Sequence, residues 1–531
     1  MPRLTANLDA LIPRADFAAN DGQGNQSSDN FQQIHLHNLV GENNFIYRLL
    51  RKPDFQRETN QWSPQQIATL VESFLEGELI PSIILWRSAT SHLFVIDGGH
   101  RLSALIAWAS DDYGDSTASH IFFKNEIPDH QKKSADRTRR ELHTRVGTYA
   151  QWKERSKNLD AITDPDVRRR SGNFSVRGLH VQWINGDADK AESSFFKINS
   201  QGTALDPIET KILRNRKKPP ALVARSIARA ATGHAYWSRF PVETQDKITS
   251  QAKKAHQLLF NPEVKNPIRT IDLPIGGSAS TARALDLIIS IAQISDPQHQ
   301  SLKATKDDLD GEATVIQLRY TRRLLERITG NEPSSLGLHP AVWFYNQQGR
   351  QNEHLLLATL GIFQRKIQAR QSNFFKYFTL HRREIEKFLV DNKDILSRFV
   401  SAVASKNRQA RATDMLSAII DAAMSGDGMP TIEQIAQTMK LGSRAIIISE
   451  QVGQEFTEEI KSAAFLRGAL ASAIKCPICD SYLEPSRSVT YDHRKDKKDG
   501  GNGSLENCDL AHPYCNSAKD ELTPLFQKKN S

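Results

Sequence analysis

Cysteine, methionine and long apolar stretches are all scarce in this sequence. Its 531 residues include four cysteines and five methionines. Four cysteines cannot form a disulfide scaffold for a chain of this length. No stretch approaches the roughly 18 uncharged apolar residues of a transmembrane helix, and the first residues lack the apolar core of a secretory signal. We therefore expect a cytoplasmic protein with no membrane partner.

The composition that remains is typical of large folded domains. Hydrophobic residues make up 39% and charged residues 25% of the chain, so wholesale disorder is excluded. At roughly 150 residues per domain, the length suggests about three domains. The net charge of +9 is a modest excess, which favours a polyanionic partner.

Changes in patterning along the chain predict four segments. Residues 1–45 are expected to be a polar lead-in, 46–220 a mixed α/β domain, 221–465 a helical scaffold, and 466–531 a small terminal domain. We find no internal repeat or low-complexity tract. The predicted fold class is α+β and multidomain.

Local signals support this division. Ser63 and Pro64 are a good N-cap and first helical residue, and Gly77 ends the apolar helical pattern that follows. Residues 80–87 and 92–97 are predicted to be strands, with another helix after Gly98 and Gly99. The scaffold is predicted from helical patterns such as 284–294, 353–367 and 412–424.

A basic run lies in the α/β segment. Residues 132–157 contain nine Lys or Arg and three Asp or Glu, and Arg168, Arg169 and Arg170 follow. This run is either a solvated helical face or a surface that contacts phosphate.

All four cysteines lie in the last 56 residues, which indicates a metal site in the terminal domain. Cys476 and Cys479 are separated by two residues, and His512 and Cys515 repeat that spacing. Two such pairs suit structural zinc, which could supply much of the folding energy of a small domain. Cys508 competes with His512 for the fourth position. The alternative is a set of four free thiols in a reducing cytosol.

A second set of polar residues lies between these pairs. The segment SVTYDH reads as a short strand that ends in Asp492 and His493, and a loop with three glycines leads on to Asn507 and Asn516. Asp492 and Asn516 supply oxygen ligands of the kind that bind Mg²⁺. His493 can accept a proton from water. This chemistry is consistent with phosphodiester hydrolysis.

At these residues the sequence resembles the HNH endonuclease family, with its ββα-metal fold. The resemblance covers about 55 residues and implies that His493 is the general base. It implies that Asp492 and Asn516 bind Mg²⁺ or Mn²⁺, and that Asn507 orients the His493 loop. Lys519 could contact phosphate. The flanking pairs match the zinc-containing HNH subtype, although His512 stands where cysteine is commoner.

The α/β segment carries a different set of motifs. A strand that ends in Asp97-Gly98-Gly99 before a helix forms a backbone concavity, in which N–H groups and Arg101 could hold an anion. An Asp-Gly-Gly sequence on its own is more often only a turn.

A wider set of residues follows in sequence order, namely Arg57, Asp97, Gly98, Arg101, Asn199, Gly202 and Glu209. This set resembles the GmrSD-type family, whose N-terminal domain has a ParB/sulfiredoxin-like fold. The resemblance covers roughly residues 45–215. It implies nucleotide (GTP or ATP) binding or hydrolysis, and defence against foreign or modified DNA. Gly99 and His100 replace two glutamines of the family signature, a variant that is similar to proteins of phosphorothioate DNA modification systems. His100 is either a phosphate or base contact or a turn residue.

Together these features predict a metal-dependent HNH endonuclease or nickase of the restriction or antiviral type. Its substrate would be double-stranded DNA, plain or modified, and its N-terminal domain would sense nucleotide or modified DNA. Since one HNH site hydrolyses one strand, a homodimer is one way to break both. The alternative is a nucleotide-hydrolysing regulator whose zinc domain only binds DNA. A ParB-like DNA-binding protein would need a sequence-reading element, and we find no clear helix-turn-helix.

Overall fold

A computed structural model of the protein describes residues 5–17, 30–40, 44–56, 58–60, 62–125, 127, 129–201, 207–260, 273–277, 282–296, 298, 302, 304–426, 428–441, 456, 458–485 and 487–530. The chain forms two compact units. The first comprises Met1–Arg216 and Thr232–Tyr236, and the second comprises Lys217–Ala231 and Trp237–Ser531. Within the described residues, no helix has both the length and the apolar content needed to cross a bilayer.

The first unit is built on a six-stranded mixed sheet with helices packed around it. Its strands run in the order β1-β3-β5-β4-β6-β2. Neighbouring strands are parallel in this order except for the antiparallel pairs β5/β4 and β6/β2. The strands are β1 (Arg14–Ala15), β2 (Gln33–His35), β3 (Leu50–Pro53), β4 (Ile83–Arg87), β5 (Leu93–Asp97) and β6 (Gly178–Ile184). The helices are α1 (Phe45–Leu49), α2 (Pro64–Glu76), α3 (Gly99–Ser110), α4 (Thr117–Phe122), α5 (Asp129–Arg145), α6 (Tyr149–Arg155), α7 (Pro165–Val176), α8 (Ala188–Gln201) and α9 (Pro207–Arg214).

Helix α2 shows how the local sequence sets an element's limits. The Ser63 hydroxyl accepts a hydrogen bond from the Gln66 N–H, and the Gln66 side chain accepts one from the Ser63 N–H. Gly77 ends the helix in the left-handed region, at φ 81°. The predicted start and end of this helix are confirmed.

The sheet is buried on both faces because its strands alternate between two apolar clusters. Leu85 and Val95 pack into the larger cluster with helices α2 and α3, while Trp86 and Phe94 pack into the second cluster with α8. The expected polar lead-in takes part in this core, since Leu8, Leu11 and Ile12 are buried in the larger cluster. The same N-terminal region also supplies strands β1 and β2.

A buried ion cluster ties this N-terminal region to β3. The Asp9 carboxylate lies 2.7 Å from both Arg14 and Lys52, and it accepts a hydrogen bond from the Thr59 N–H. Burial alone would raise the pKa of Asp9, but the two cations hold that pKa well below its ordinary value. The cluster therefore stays charged while buried.

The arginines of the basic run pair mostly with acidic neighbours. Arg139 binds Asp111 and Asp115, at 3.0 and 2.8 Å. Further pairs are Arg140–Asp136, Arg145–Glu72, Arg168–Asp160, Arg169–Glu76, Arg169–Asp166 and Arg170–Glu76. This pairing favours a solvated charged surface over a surface reserved for phosphate.

The second unit is mostly helical and contains the C-terminal hairpin. Helix α11 packs on α13, α10 on α12, and α15 on α18. Its helices are α10 (Pro219–Ala228), α11 (Val242–Phe260), α12 (Ala282–Ser295), α13 (Glu312–Ile328), α14 (Pro340–Trp343), α15 (Glu353–Gln368), α16 (Ser372–Asp391), α17 (Lys393–Ala402), α18 (Arg408–Ser425), α19 (Ile432–Thr438), α20 (Glu458–Ala471), α21 (Pro513–Ser517) and α22 (Lys519–Asn530). Its strands are β7 (Thr490–His493) and β8 (Cys508–Ala511). The three helices predicted in the scaffold are confirmed as α12, α15 and α18, and the α+β fold class is confirmed.

Candidate nuclease site and metal cluster

The C-terminal segment folds as a two-stranded antiparallel hairpin followed by helices α21 and α22. Asp492 lies opposite Asp509, and His493 lies opposite Cys508. Side chains alternate along a strand, and accordingly Asp492 is 8% exposed whereas its neighbour Tyr491 is 74% exposed. His493 is the last residue of β7, where the chain passes into the loop.

Four side chains form a buried cluster at the base of this hairpin. The ligand atoms of Cys476, Cys479, His512 and Cys515 all lie within 4.8 Å of one another, and none of the four residues is more than 2% exposed. The His512 Nδ1 lies 3.4 Å from the Cys479 Sγ, and its Nε2 donates to the Tyr482 carbonyl oxygen at 2.9 Å. This hydrogen bond leaves Nδ1 as the ligand atom.

The cluster has the donor set of a metal site. Hydrogen bonds from Cys479 and then Cys515 hold the pKa of the Cys476 thiol far below its ordinary value. Burial, reinforced by Cys476, raises the pKa of Cys479 to about 12, and the Cys476 contact raises that of Cys515. Three thiols this close together can ionise together only if a cation compensates their charge. Cys508, the competing ligand, is exposed and outside the cluster.

Lys519, at the start of α22, reaches the inner face of the hairpin. Its Nζ lies 2.9 Å from the Asp492 carboxylate and 3.3 Å from Asp496, and it donates to the His493 carbonyl oxygen at 2.6 Å. Burial alone would lower the pKa of Lys519, but hydrogen bonds and charges from Asp492 and Asp496 raise it. The ammonium group is thus held beside the residue expected to bind Mg²⁺.

Asn507 joins the two ends of the loop that follows His493. Its Oδ1 accepts from the Lys495 N–H at 2.7 Å, and its Nδ2 donates to the carbonyl oxygens of Lys495 and Asn502 at 3.1 and 2.7 Å. Gly501 is required where this loop passes closest to itself, because a Cβ there would lie 1.7 Å from the Lys495 carbonyl oxygen.

Asn516 follows Cys515 directly and lies against β7. Its Nδ2 donates to the Thr490 hydroxyl at 3.2 Å and to the Tyr491 carbonyl oxygen at 3.3 Å. With the nitrogen used in this way, the amide oxygen is the atom that could bind a metal near Asp492. Within the described part of the chain, no residue forms a hydrogen bond with the His493 ring.

Sequence reasoning missed Asp496, which lies in a charged run and shares Lys519 with Asp492. It also missed the ion pair between Arg494 and Asp509, at 2.8 Å. Asp509 is the residue that lies opposite Asp492 in the hairpin. A run of alternating charges predicts a solvated loop, and only the return of the chain through α22 brings Asp496 to Lys519.

The N-terminal motif residues are described only in part. Gly98 takes φ 91° at the start of α3, and Arg101 pairs with Asp97 at 2.6 Å and donates to the Ser82 carbonyl oxygen. Because the Asp97 carboxylate pairs with Arg101, it offsets the positive charge that would attract a phosphate. The ring of His100 stacks on that of Trp62, with centroids 5.6 Å apart.

The side chain of Gln56 lies beside this turn. A Cβ added to Gly99 would be 3.5 Å from the Gln56 Oε1. That oxygen is buried without a hydrogen-bond partner among the described residues. Of the remaining motif residues, Arg57 and Gly202 lie outside the described residues. Asn199 and Glu209 lie on α8 and α9, and their side chains also lie outside what is described.

Family comparisons agree with both motif sets. Residues 36–216 match the GmrSD restriction endonuclease N-terminal domain, and residues 476–521 match the HNH endonuclease family. No curated protein and no solved structure matches the chain. These matches support a nuclease, a hydrolase whose implied substrate is DNA, and HNH nucleases are metal-dependent. The chain joins a GmrSD-type restriction endonuclease N-terminal domain to a C-terminal HNH endonuclease domain.

Proposed function

We propose that this protein hydrolyses one strand of duplex DNA at each HNH site, under the control of its N-terminal domain. The observation that carries the proposal is the hairpin and helix arrangement, in which Lys519 lies 2.9 Å from Asp492, Asn516 donates to Thr490 and Tyr491 of the same strand, and His493 ends that strand. We place its action in the cytoplasm, where reduced thiolates can hold zinc.

The residues fit two kinds of metal. Cys476, Cys479, His512 and Cys515 would hold structural zinc, since three sulfurs and one imidazole nitrogen suit that ion. Asp492 and the Asn516 amide oxygen would hold Mg²⁺ or Mn²⁺. A divalent ion there would neutralise the scissile phosphate and stabilise the leaving oxygen.

The remaining residues would position and activate water. His493 would take a proton from the water that attacks phosphorus, as the P–O bond to the leaving oxygen breaks. Asn507 would hold the loop after His493 through its three hydrogen bonds. Lys519, now paired with Asp492 and Asp496, would turn its ammonium group to a phosphate oxygen once DNA is bound.

We propose that residues 46–220 form a sensing domain for GTP, ATP or modified DNA such as phosphorothioate DNA. The turn at Asp97, Gly98 and Gly99 would meet phosphate through its N–H groups, and Arg101 would exchange Asp97 for the incoming anion. His100, stacked on Trp62, would contact a base or phosphate. Arg57, Asn199, Gly202 and Glu209 would complete the site. Residues 221–465 would act as the scaffold for the nuclease domain at 466–531.

The direct test is nicking of supercoiled plasmid by the wild type and by His493→Ala, in Mg²⁺. Each protein is assayed with and without GTP or ATP, on plain and phosphorothioate DNA. We expect nicking by the wild type alone, with His493→Ala binding DNA as before. Dependence on nucleotide or modification would identify the signal that is sensed.

Two other outcomes separate the alternatives. Equal nicking by both proteins would place the activity elsewhere. Phosphate release from nucleotide without any nicking would favour a nucleotide-hydrolysing regulator that only binds DNA. Sedimentation in the presence of DNA distinguishes a homodimer, with two sites for two strands, from a monomeric nickase.

A further inference from the structure

A buried ion pair from the helical part of the second unit contacts the loop that follows two of the cluster cysteines, Cys476 and Cys479. Arg382 and Glu386, one turn apart on α16, are 2.7 Å from each other, and both side chains are 1% exposed. A buried pair of this kind is costly unless its remaining hydrogen-bonding atoms are satisfied. The partners that satisfy it indicate what it does.

Both oxygens of the Glu386 carboxylate are used. Its Oε1 accepts from the Arg382 Nε–H and from the Trp343 indole N–H at 3.0 Å. Its Oε2 accepts from the backbone N–H of Tyr482 at 3.0 Å. The carboxylate therefore spans from helix α16 to the loop that follows Cys479.

The backbone of the same residue, Tyr482, also contacts the cluster. Its carbonyl oxygen accepts from the Nε2–H of His512 at 2.9 Å, which orients the Nδ1 of that ring toward the sulfurs. A line of hydrogen bonds thus runs from Glu386 through the Tyr482 backbone to His512. A hydrogen bond from outside the site fixes the ring orientation of a ligating histidine. Glu386 therefore acts on His512 indirectly, through the Tyr482 backbone.

Arg382 reaches the same place by a second route. Its guanidinium donates to the carbonyl oxygens of Leu336 and Gly337, and a Cβ on Gly337 would lie 3.0 Å from the His512 ring. Burial alone would lower the pKa of Arg382, but the charges of Glu386, Cys479 and Cys515 raise it.

We propose that Arg382 and Glu386 are positioning residues of the metal cluster, supplied by the helical part of the chain. They orient His512 through the Tyr482 backbone and through the Leu336 and Gly337 carbonyl groups, so metal retention in the HNH segment depends on helix α16. This inference rests on metal binding at the cluster, which is part of the proposed function, but does not depend on nuclease activity.

The test measures metal release from the full-length protein in Glu386→Gln and Glu386→Asp. The matched control is Glu326→Gln, because Glu326 pairs with Arg322 at the same spacing within the same unit. Zinc release to a chromogenic chelator is followed for each protein, and the visible spectrum of the Co²⁺-substituted form reports ligand geometry. Loss of an outer-shell partner typically weakens metal binding about 10–100-fold.

We expect zinc release to be about 10–100-fold faster in Glu386→Gln, with altered Co²⁺ bands, and unchanged in the control. Glu386→Asp, which keeps the charge, should recover part of the loss. If a wild type that binds zinc releases it no faster after Glu386→Gln than after Glu326→Gln, the positioning role is wrong. If the wild type binds no metal, the metal cluster of the proposed function fails as well.

Glu386→Gln could fail to fold, so a second measurement uses the wild type. Hydrogen exchange at the Tyr482 amide should be slow in the zinc-loaded protein and faster after zinc removal. Rapid exchange in the zinc-loaded protein would show that Glu386 does not hold this N–H, and would overturn the proposal.

Discussion

Replacing Asn507 with alanine tests whether the loop after His493 must be held for hydrolysis. The change removes three hydrogen bonds, two to Lys495 and one to Asn502. Each is worth about 0.5–1.5 kcal/mol net, and exposure of the site to water favours the lower end, so the loop should lose about 2 kcal/mol. Since 1.36 kcal/mol changes an equilibrium constant tenfold, the population of the ordered loop should fall roughly 30-fold.

The assay is plasmid nicking together with Mn²⁺ affinity at the catalytic site. We expect Asn507→Ala to nick roughly 30-fold more slowly with nearly unchanged Mn²⁺ affinity, because Asp492 and Asn516 remain in place. Asn502→Ala is the control, since its side chain accepts a single hydrogen bond, from the Ser504 N–H. Nicking at the wild-type rate by Asn507→Ala would refute a holding role. An equal loss of metal affinity would mean that Asn507 acts on the metal site instead.

Three further predictions follow from the same region. Gly501→Ala should slow nicking at least as much as Asn507→Ala, because its Cβ would lie 1.7 Å from a loop carbonyl oxygen, whereas Gly503→Ala, with no atom within 4 Å, should nick normally. Cys515→Ser should lose zinc as measured by metal analysis, whereas the exposed Cys508→Ser should keep it. The pKa of buried His339 is lowered from 6.5 to about 3, by burial first and then by nearby cations. The stability that this histidine contributes is therefore complete above pH 6.5 and lost as the pH falls toward about 3, so thermal melting of His339→Gln should depend less on pH over that range.

Local sequence signals predicted much of the secondary structure. The limits of α2 follow from Ser63 and Gly77, and the presence of α12, α15 and α18 follows from apolar spacing. The sheet order could not be predicted in this way. Strands β1 and β2 have only two and three residues, too few to show an alternating pattern, and the other strands hold them at the sheet edges.

The candidate site was predictable where its residues recur at a regular spacing in the sequence. Cys476, Cys479, His512 and Cys515 of the metal cluster are such a set. The partners of Lys519 were not predictable, because they depend on how α22 returns over the hairpin. Nor was the contact between Glu386 and the Tyr482 backbone, which joins residues 96 positions apart. Hydrogen bonds that use backbone atoms leave no signal in the sequence of the loop that supplies those atoms.

The path of the chain between its two units has a consequence for how such proteins can evolve. The chain leaves the first unit after Arg216, yet Thr232–Tyr236 belong to that unit again. A single recombination junction after Arg216 would therefore transfer the first unit without its last segment. Exchange of that unit between relatives would need two junctions, or would have to rebuild five residues, so the N-terminal part should be inherited together with the start of the helical part. Chimaeras joined after Arg216 and after Tyr236 would reveal this difference in expression and solubility.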